Sequence, residues 1–314
     1  MKSFHLTAGL ALLISGPGLA QDYPTRPVEL TVAFTPGAVT DIFARALSQG
    51  MSEALGQRFV VVNKAGATGA IGSAAVARAA PDGYSLLFTP AVSITVLPLQ
   101  NRETGYTHKS FDPICQTFKN EMVIVARKDS PFKSARDVIA AAKARPGAVT
   151  YGHLGVASIP HLAMTELSIY AKADFNAVPF KGDSEVIQNV LGGQIEFGAV
   201  VLSSAVGSGL EILGLFGDRR NPAIPDTPTL REQGFDVAPS SFGGIVGPKG
   251  LPADIKTKLA RACETAALGE TYSKLARSVG QPVDYHADAE TFSRRLDRDV
   301  EEKSVLLKAL GELK

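Results

Sequence analysis

The side chains able to do chemistry are few, and they do not assemble into a catalytic set. His153 and His161 flank one predicted loop, a spacing that would suit a pair of metal ligands, but a third ligand is not visible. At a predicted helix start, His161 reads better as a neutral hydrogen-bonding residue. Asp41 and Asp183 both stand near helix starts, where the plain role of a carboxylate is N-capping or pairing with the helix dipole. Of the two, Asp183 has the better claim to face a cleft. The chain contains no Gly-x-Ser-x-Gly, His-Glu-x-x-His, Cys-x-x-Cys or Walker loop. Gly66, Gly69 and Gly72 lack the Gly-x-Gly opening of a dinucleotide fingerprint and read as close loop packing. No catalytic residue, metal or cofactor is therefore assigned, and the expectation is a binder rather than an enzyme.

The elements that must position these residues start with Glu29–Phe34, an apolar run rich in β-formers. Thr35-Pro36-Gly37-Ala38 breaks it, and Val39–Leu55 returns apolar residues at helical spacing, with Gly56 as C-cap. Strand, small-residue loop and helix point backbone N–H groups and a positive helix end at whatever sits above the loop, so a carboxylate or phosphate is the natural guest. An ordinary βα turn has the same pattern. Further strands are predicted at Arg58–Asn63 and Tyr84–Phe88, separated by the helix Ala70–Ala80. Such alternation predicts a parallel, doubly wound sheet with ligands beyond the carboxyl ends of its strands, here at Thr35–Thr40 and Thr89–Ser93.

A second α/β series begins at Met122–Arg127 and repeats that logic through Val149–Tyr151, the loop Gly152–Ile159, the helix His161–Tyr170, Ala177–Phe180, Glu185–Leu191 and Ile195–Val201. Leu213–Gly217 and Ser240–Gly247 are the last predicted strands. Helices follow at Ala253–Leu268, Gly269–Val279 and Asp288–Leu310, the last so charged that it reads as a solvated outer surface. This tail is expected to cover the first lobe, with lobe crossings near Glu121 and Phe235.

The chain has 314 residues, 45% hydrophobic and 20% charged, with a formal charge of +1. Basic runs and aromatic-basic interleaving are absent, which argues against nucleic acid or an anionic membrane surface as a partner. Lys2, the short apolar run Leu6–Ile14 and Gly18-Leu19-Ala20 read as a cleavable secretory signal over residues 1–20. Its removal takes Lys2 from the 32 basic residues and none of the 31 acidic ones, leaving a neutral exported chain from about Gln21. Cys115 and Cys263 lie too far apart in sequence to carry a spacing signal, so a disulfide and two buried thiols both stay open.

Several stretches are similar to one family. Tyr23-Pro24-Thr25-Arg26-Pro27, FTPGAVTDIFAR (Phe34–Arg45), NKAGATGAIG (Asn63–Gly72), ARAAPDGYSLLF (Ala77–Phe88), LGVASIPHL (Leu154–Leu162), FKGDSEVIQNVLGGQIE (Phe180–Glu196), PDTPTLREQGF (Pro225–Phe235) and GPKGLPADIKTKL (Gly247–Leu259) occur in family order. On these motifs the chain resembles the Bug/TctC extracytoplasmic solute receptors of tripartite tricarboxylate transporters. The resemblance implies an α/β type II periplasmic-binding-protein fold, two doubly wound lobes around a ligand cleft. Lobe 1 would be residues 21–121 plus 236–314, and lobe 2 residues 122–235. It further implies a periplasmic monomer that closes on a small carboxylate and hands it to membrane permease subunits. The ligand would lie between Phe34, Thr35, Gly37, Ala38 and Asp41 on one side and Gly155, Val156, Ala157, Ser158 and His161 on the other. Backbone N–H groups and bridging waters would make most contacts. Thr89, Ala91, Ser93, Asp183 and Ser203 complete the expected set.

Three loops depart from the family's usual glycine-rich or polar form. Ala38-Val39, Val156-Ala157-Ser158-Ile159-Pro160 and Thr89-Pro90-Ala91-Val92-Ser93 are all more apolar. They point to a carboxylate with an apolar or aromatic body rather than citrate or a polar amino acid. Two other readings are a ligand-sensing partner of a periplasmic sensor kinase and an enzyme on the same fold.

Overall fold

The structure, a computed structural model, describes residues 23–237, 239, 241–283 and 285–313. The expected signal over residues 1–20 lies outside them. In chain order the first elements are β1 (Val28–Val32), α1 (Val39–Leu55), β2 (Phe59–Asn63), α2 (Ala70–Ala77), β3 (Ser85–Pro90), α3 (Val92–Thr95), α4 (Leu97–Gln100) and β4 (Phe111–Asn120). Next come β5 (Met122–Ala126), α5 (Ala135–Ala144), β6 (Thr150–His153), α6 (Ile159–Ala171), β7 (Asn176–Pro179), α7 (Asp183–Leu191), β8 (Phe197–Val201), α8 (Leu202–Ala205) and β9 (Glu211–Phe216). The chain then returns through β10 (Ser241–Pro248) to α9 (Ala253–Ala267), α10 (Glu270–Ser278) and α11 (Ala289–Ala309).

Two five-stranded sheets result, ordered β2-β1-β3-β10-β4 and β7-β6-β8-β5-β9. β1, β2 and β3 run parallel, as do β6, β7 and β8, while β10 and β5 run antiparallel to their neighbours. Helices cover both faces of each sheet, which is why the parallel run Leu86-Leu87-Phe88 and the whole of the antiparallel β5 are buried on both sides. Local signals fix several boundaries. Gly56 ends α1 in the left-handed region at φ 64°, where a side chain would be strained. Ser134 caps α5 by accepting from the Asp137 N–H.

The two sheets are joined at Glu121, between β4 and β5, and again between Val237 and Ser241. Val237 and Phe235 still pack in the core of the second sheet beside Leu230 and Phe216. Around the first junction, Asn221 Nδ2 donates to Glu121 Oε2 at 2.8 Å and Leu202 N–H donates to the Glu121 carbonyl at 2.9 Å. These bonds tie the connecting residue to the second sheet.

α9 and α10 cover the first sheet: Leu259, Ala262 and Tyr272 share a core with Phe43, Leu47 and Phe118. Cys115 on β4 and Cys263 on α9 form a disulfide with a Cα–Cα separation of 6.4 Å. α11 is not the solvated surface its charge suggested. Phe292 and Leu296 pack on the first sheet with Phe242 and Val246, while Leu306 and Leu307 pack with Leu162 and Ala157 of the second. Two of its charges, Asp299 and Lys303, are buried, and Thr95 donates to Asp299 Oδ2 at 2.7 Å. Buried charges survive when each finds an opposite charge or a donor, and these do.

Candidate ligand cleft

Strand order places the cleft. In the first sheet the chain goes from β1 outward to β2 and back across to β3; in the second it goes from β6 outward to β7 and back to β8. The switch points are therefore β1/β3 and β6/β8, where crevices form beyond the carboxyl ends. Register shows that both open on the same edge. Pro90 at the end of β3 pairs with Gly243, Ser241 pairs with Asn120 at the end of β4, and Met122 pairs with Val201 at the end of β8. Glu121 sits between those last two pairs, so both sets of loops border the junction.

On the first side, Phe34 is half-buried, Thr35 and Gly37 are exposed, and Ala38 is the N-cap residue of α1 with no side-chain cap. The N–H groups of Val39 and Thr40 find no acceptor among the described residues. The Gly37 N–H is already used, because it donates to Asp41 Oδ2 at 2.9 Å. Asp41 also accepts from Arg45 Nε at 2.9 Å and from Asn63 Nδ2 at 2.9 Å, and Asn63 Nδ2 lies 3.0 Å from the Phe34 carbonyl. Burial would raise the Asp41 pKa, but the bonds from Arg45, Gly37 and Asn63 outweigh it and hold the carboxyl below its ordinary value. Asp41 thus holds the loop from beneath. Arg45 and Asn63, missed in the sequence, are its partners, and only the fold brings Asn63 beside α1. Asp41→Asn should lower stability by about 1–2 kcal/mol, through loss of the charge on a buried acceptor. Urea unfolding measures this, and an unchanged midpoint would contradict it.

On the second side, Val156 is 57% exposed, between Gly155 at φ 95° and Ala157 at φ 57°. Ser158 caps α6, accepting from the His161 N–H at 3.4 Å. The Ala157 N–H donates to His161 Nδ1 at 3.0 Å, and His153 Nδ1 lies 2.8 Å from the Gly155 carbonyl. The two imidazoles stack with centroids 4.1 Å apart and planes 19° apart. Burial and the neighbouring His153 push the His161 pKa down to about 4. Burial lowers that of His153 as well, against the Gly155 bond.

Asp183 opens α7 but does not cap it. Its carboxylate accepts from Ser204 Oγ at 2.8 Å and from the Val201 N–H at 3.4 Å, tying α7 to the end of β8. Burial raises its pKa, and these neutral donors only partly offset the rise. Ser204, not its exposed neighbour Ser203, is the residue that meets Asp183; Ser203 lies beside Gly280 instead. Thr89, Ala91 and Ser93 are buried. The Ala91 N–H donates to the Phe242 carbonyl at 2.7 Å, and Ser93 Oγ donates to the Thr68 carbonyl at 3.3 Å. These bonds brace the β3 turn against β10 and the glycine loop respectively. A side chain at Gly72 would crowd the Lys64 carbonyl and Ala33, which is the close packing expected there.

A separate charged cleft of about 470 Å³ lies between α6 and α11, lined by Glu166, Arg231, Arg298, Glu302 and Lys303 among others. None of the residues assigned to the ligand from the sequence borders it.

The profile described as "Tripartite tricarboxylate transporter family receptor" matches residues 43–311. The "UPF0065 protein in gbd 5'region" of Cupriavidus necator is 32% identical over 99% of this chain and 98% of its own. Protein BugT of Bordetella pertussis is 31% identical over 86% of this chain and 85% of its own. Among solved structures, a TctC solute binding protein from Polaromonas, without ligand, superposes with a TM-score of 0.82 at 28% identity, covering 91% of this chain and 99% of that one. An R. palustris protein solved with adipate gives a TM-score of 0.72 at 25% identity, over 92% of this chain and 99% of that one.

Proposed function

We propose that this chain, which belongs to the tripartite tricarboxylate transporter receptor family, is a periplasmic receptor that closes its two lobes on a small carboxylate and delivers it to membrane permease subunits. One observation carries the reading. The switch points of both sheets open at the Glu121 junction, with the uncapped first turn of α1 on one side and the Gly155–Ser158 loop on the other. Free N–H groups at a helix start, with the dipole behind them, favour a carboxylate without a buried cation. Ligand contacts to both lobes would shift the open–closed equilibrium by the difference in affinity between the two forms.

The body of the ligand is aliphatic or aromatic. Val39 and Val156, at 53% and 57% exposure, stand on the two rims, and the half-buried Val92 follows the β3 turn. A neighbour solved with adipate fits this chemistry. Adipate and aliphatic or aromatic acids should therefore raise the melting temperature by about 5 °C near saturation, and citrate and aspartate by less. The reverse order would remove the apolar-body assignment. Mass spectrometry of the acid that co-purifies with the protein tests the receptor reading itself.

A further inference from the structure

We propose that His153 and His161 are a positioning pair for ligand capture: two stacked neutral imidazoles of opposite tautomer that hold the Gly155–Ser158 loop in its binding conformation without touching the ligand. This rests on the binding reading above. The tautomers follow from the partners. A backbone N–H can only donate, so His161 Nδ1, which receives the Ala157 N–H, carries no proton, and Nε2 does. A carbonyl can only accept, so His153 Nδ1 carries the proton that it gives to Gly155. Each ring thus fixes one residue of the loop, and both fixed residues have positive φ.

For Ala157 that conformation is costly, since its Cβ crowds the backbone there. A specific bond to a buried acceptor is what keeps it populated. Stacking at 4.1 Å couples the rings, so neither can tilt away alone. Val156, between the two anchored residues, is left as the exposed tip at the cleft edge. Loss of either anchor should let the loop sample other conformations, and apparent affinity falls by the fraction of time it does so.

Three variants test this: His161→Phe keeps a stacking ring without an acceptor, His161→Asn keeps an acceptor oxygen, and His153→Phe removes the donor to Gly155. Calorimetry with adipate as probe should show affinity about tenfold weaker for H161F and H153F. H161N should return to within about threefold of the parent chain. Ligand-free ¹⁵N spectra of the imidazoles should show His161 protonated on Nε2 and His153 on Nδ1. The Ala157 amide should exchange faster in H161F than in H161N. Parent-like affinity in H161F, reversed tautomers, or equal exchange in both variants would overturn the proposal. If the parent chain does not bind adipate, adipate is excluded as its ligand while the tautomer and exchange measurements still decide the pair.

Discussion

Replacing Cys115 and Cys263 together by alanine is expected to lower the unfolding free energy by about 4 kcal/mol, the largest single loss we foresee. The bond spans a sequence separation of 148 residues, and everything between β4 and α9, including the whole second sheet, lies inside that loop. Cross-linking so long a segment removes much of the freedom of the unfolded chain. Both sulfurs are in a core shared by Phe43, Phe118, Leu259 and Tyr272, so reduction also loosens α9 from the sheet that it covers. Urea unfolding of parent and double variant, and of the parent with dithiothreitol, should give one common destabilised midpoint. The cleft loops lie at the Glu121 edge and contain neither cysteine, so on the proposed reading affinity for adipate as probe should stay within about twofold at 25 °C. A double variant with the parent's midpoint would show that α9 is held by packing alone.

How much of this was legible in the sequence depended on how local the signal was. α1 runs over the residues predicted for it because its turn, apolar stripe and Gly56 are written within the segment itself. β4 was not predicted. Pro113, Gln116 and Lys119 interrupt its pattern, and it becomes a strand through long-range pairing with β10, in a register that shifts twice. At one shift lies Gly244, where a side chain would overlap the Cys115 carbonyl. α11 misled for a different reason. A charged helix reads as solvated, but Asp299 and Lys303 are buried between the lobes, where Thr95 and an opposite charge meet them. The same limit applied at the cleft. The loops could be placed from strand order, but not which of their N–H groups were already taken. Asp41 takes that of Gly37 and His161 takes that of Ala157, and both pairings depend on side-chain direction rather than on residue type.

Acid should destabilise the protein through His161 before it protonates the ordinary carboxylates. Its folded pKa is about 4, against about 6.5 in an unfolded chain. Between those values the unfolded state binds the proton and the folded state does not. The contribution of His161 is therefore fully present above pH 6.5 and is lost as pH falls toward 4. Linkage puts the loss at about 2 kcal/mol by pH 5 and about 3 kcal/mol by pH 4. The cause is physical: a proton on Nδ1 would displace the Ala157 N–H and place a charge in a buried site against the second ring. Other groups titrate in the same range. Burial lowers the pKa of His153, His108 and His286, which adds to the slope, and raises those of Glu166, Asp183, Asp299 and Glu302, which opposes it. The difference between parent and H161N cancels those shared contributions. Urea unfolding of both at pH 7, 5 and 4 should show the parent losing about 3 kcal/mol more than the variant by pH 4. Parallel losses would mean that the His161 ring takes its proton as readily in the folded state as in the unfolded chain, and that the Ala157 bond does not hold it neutral.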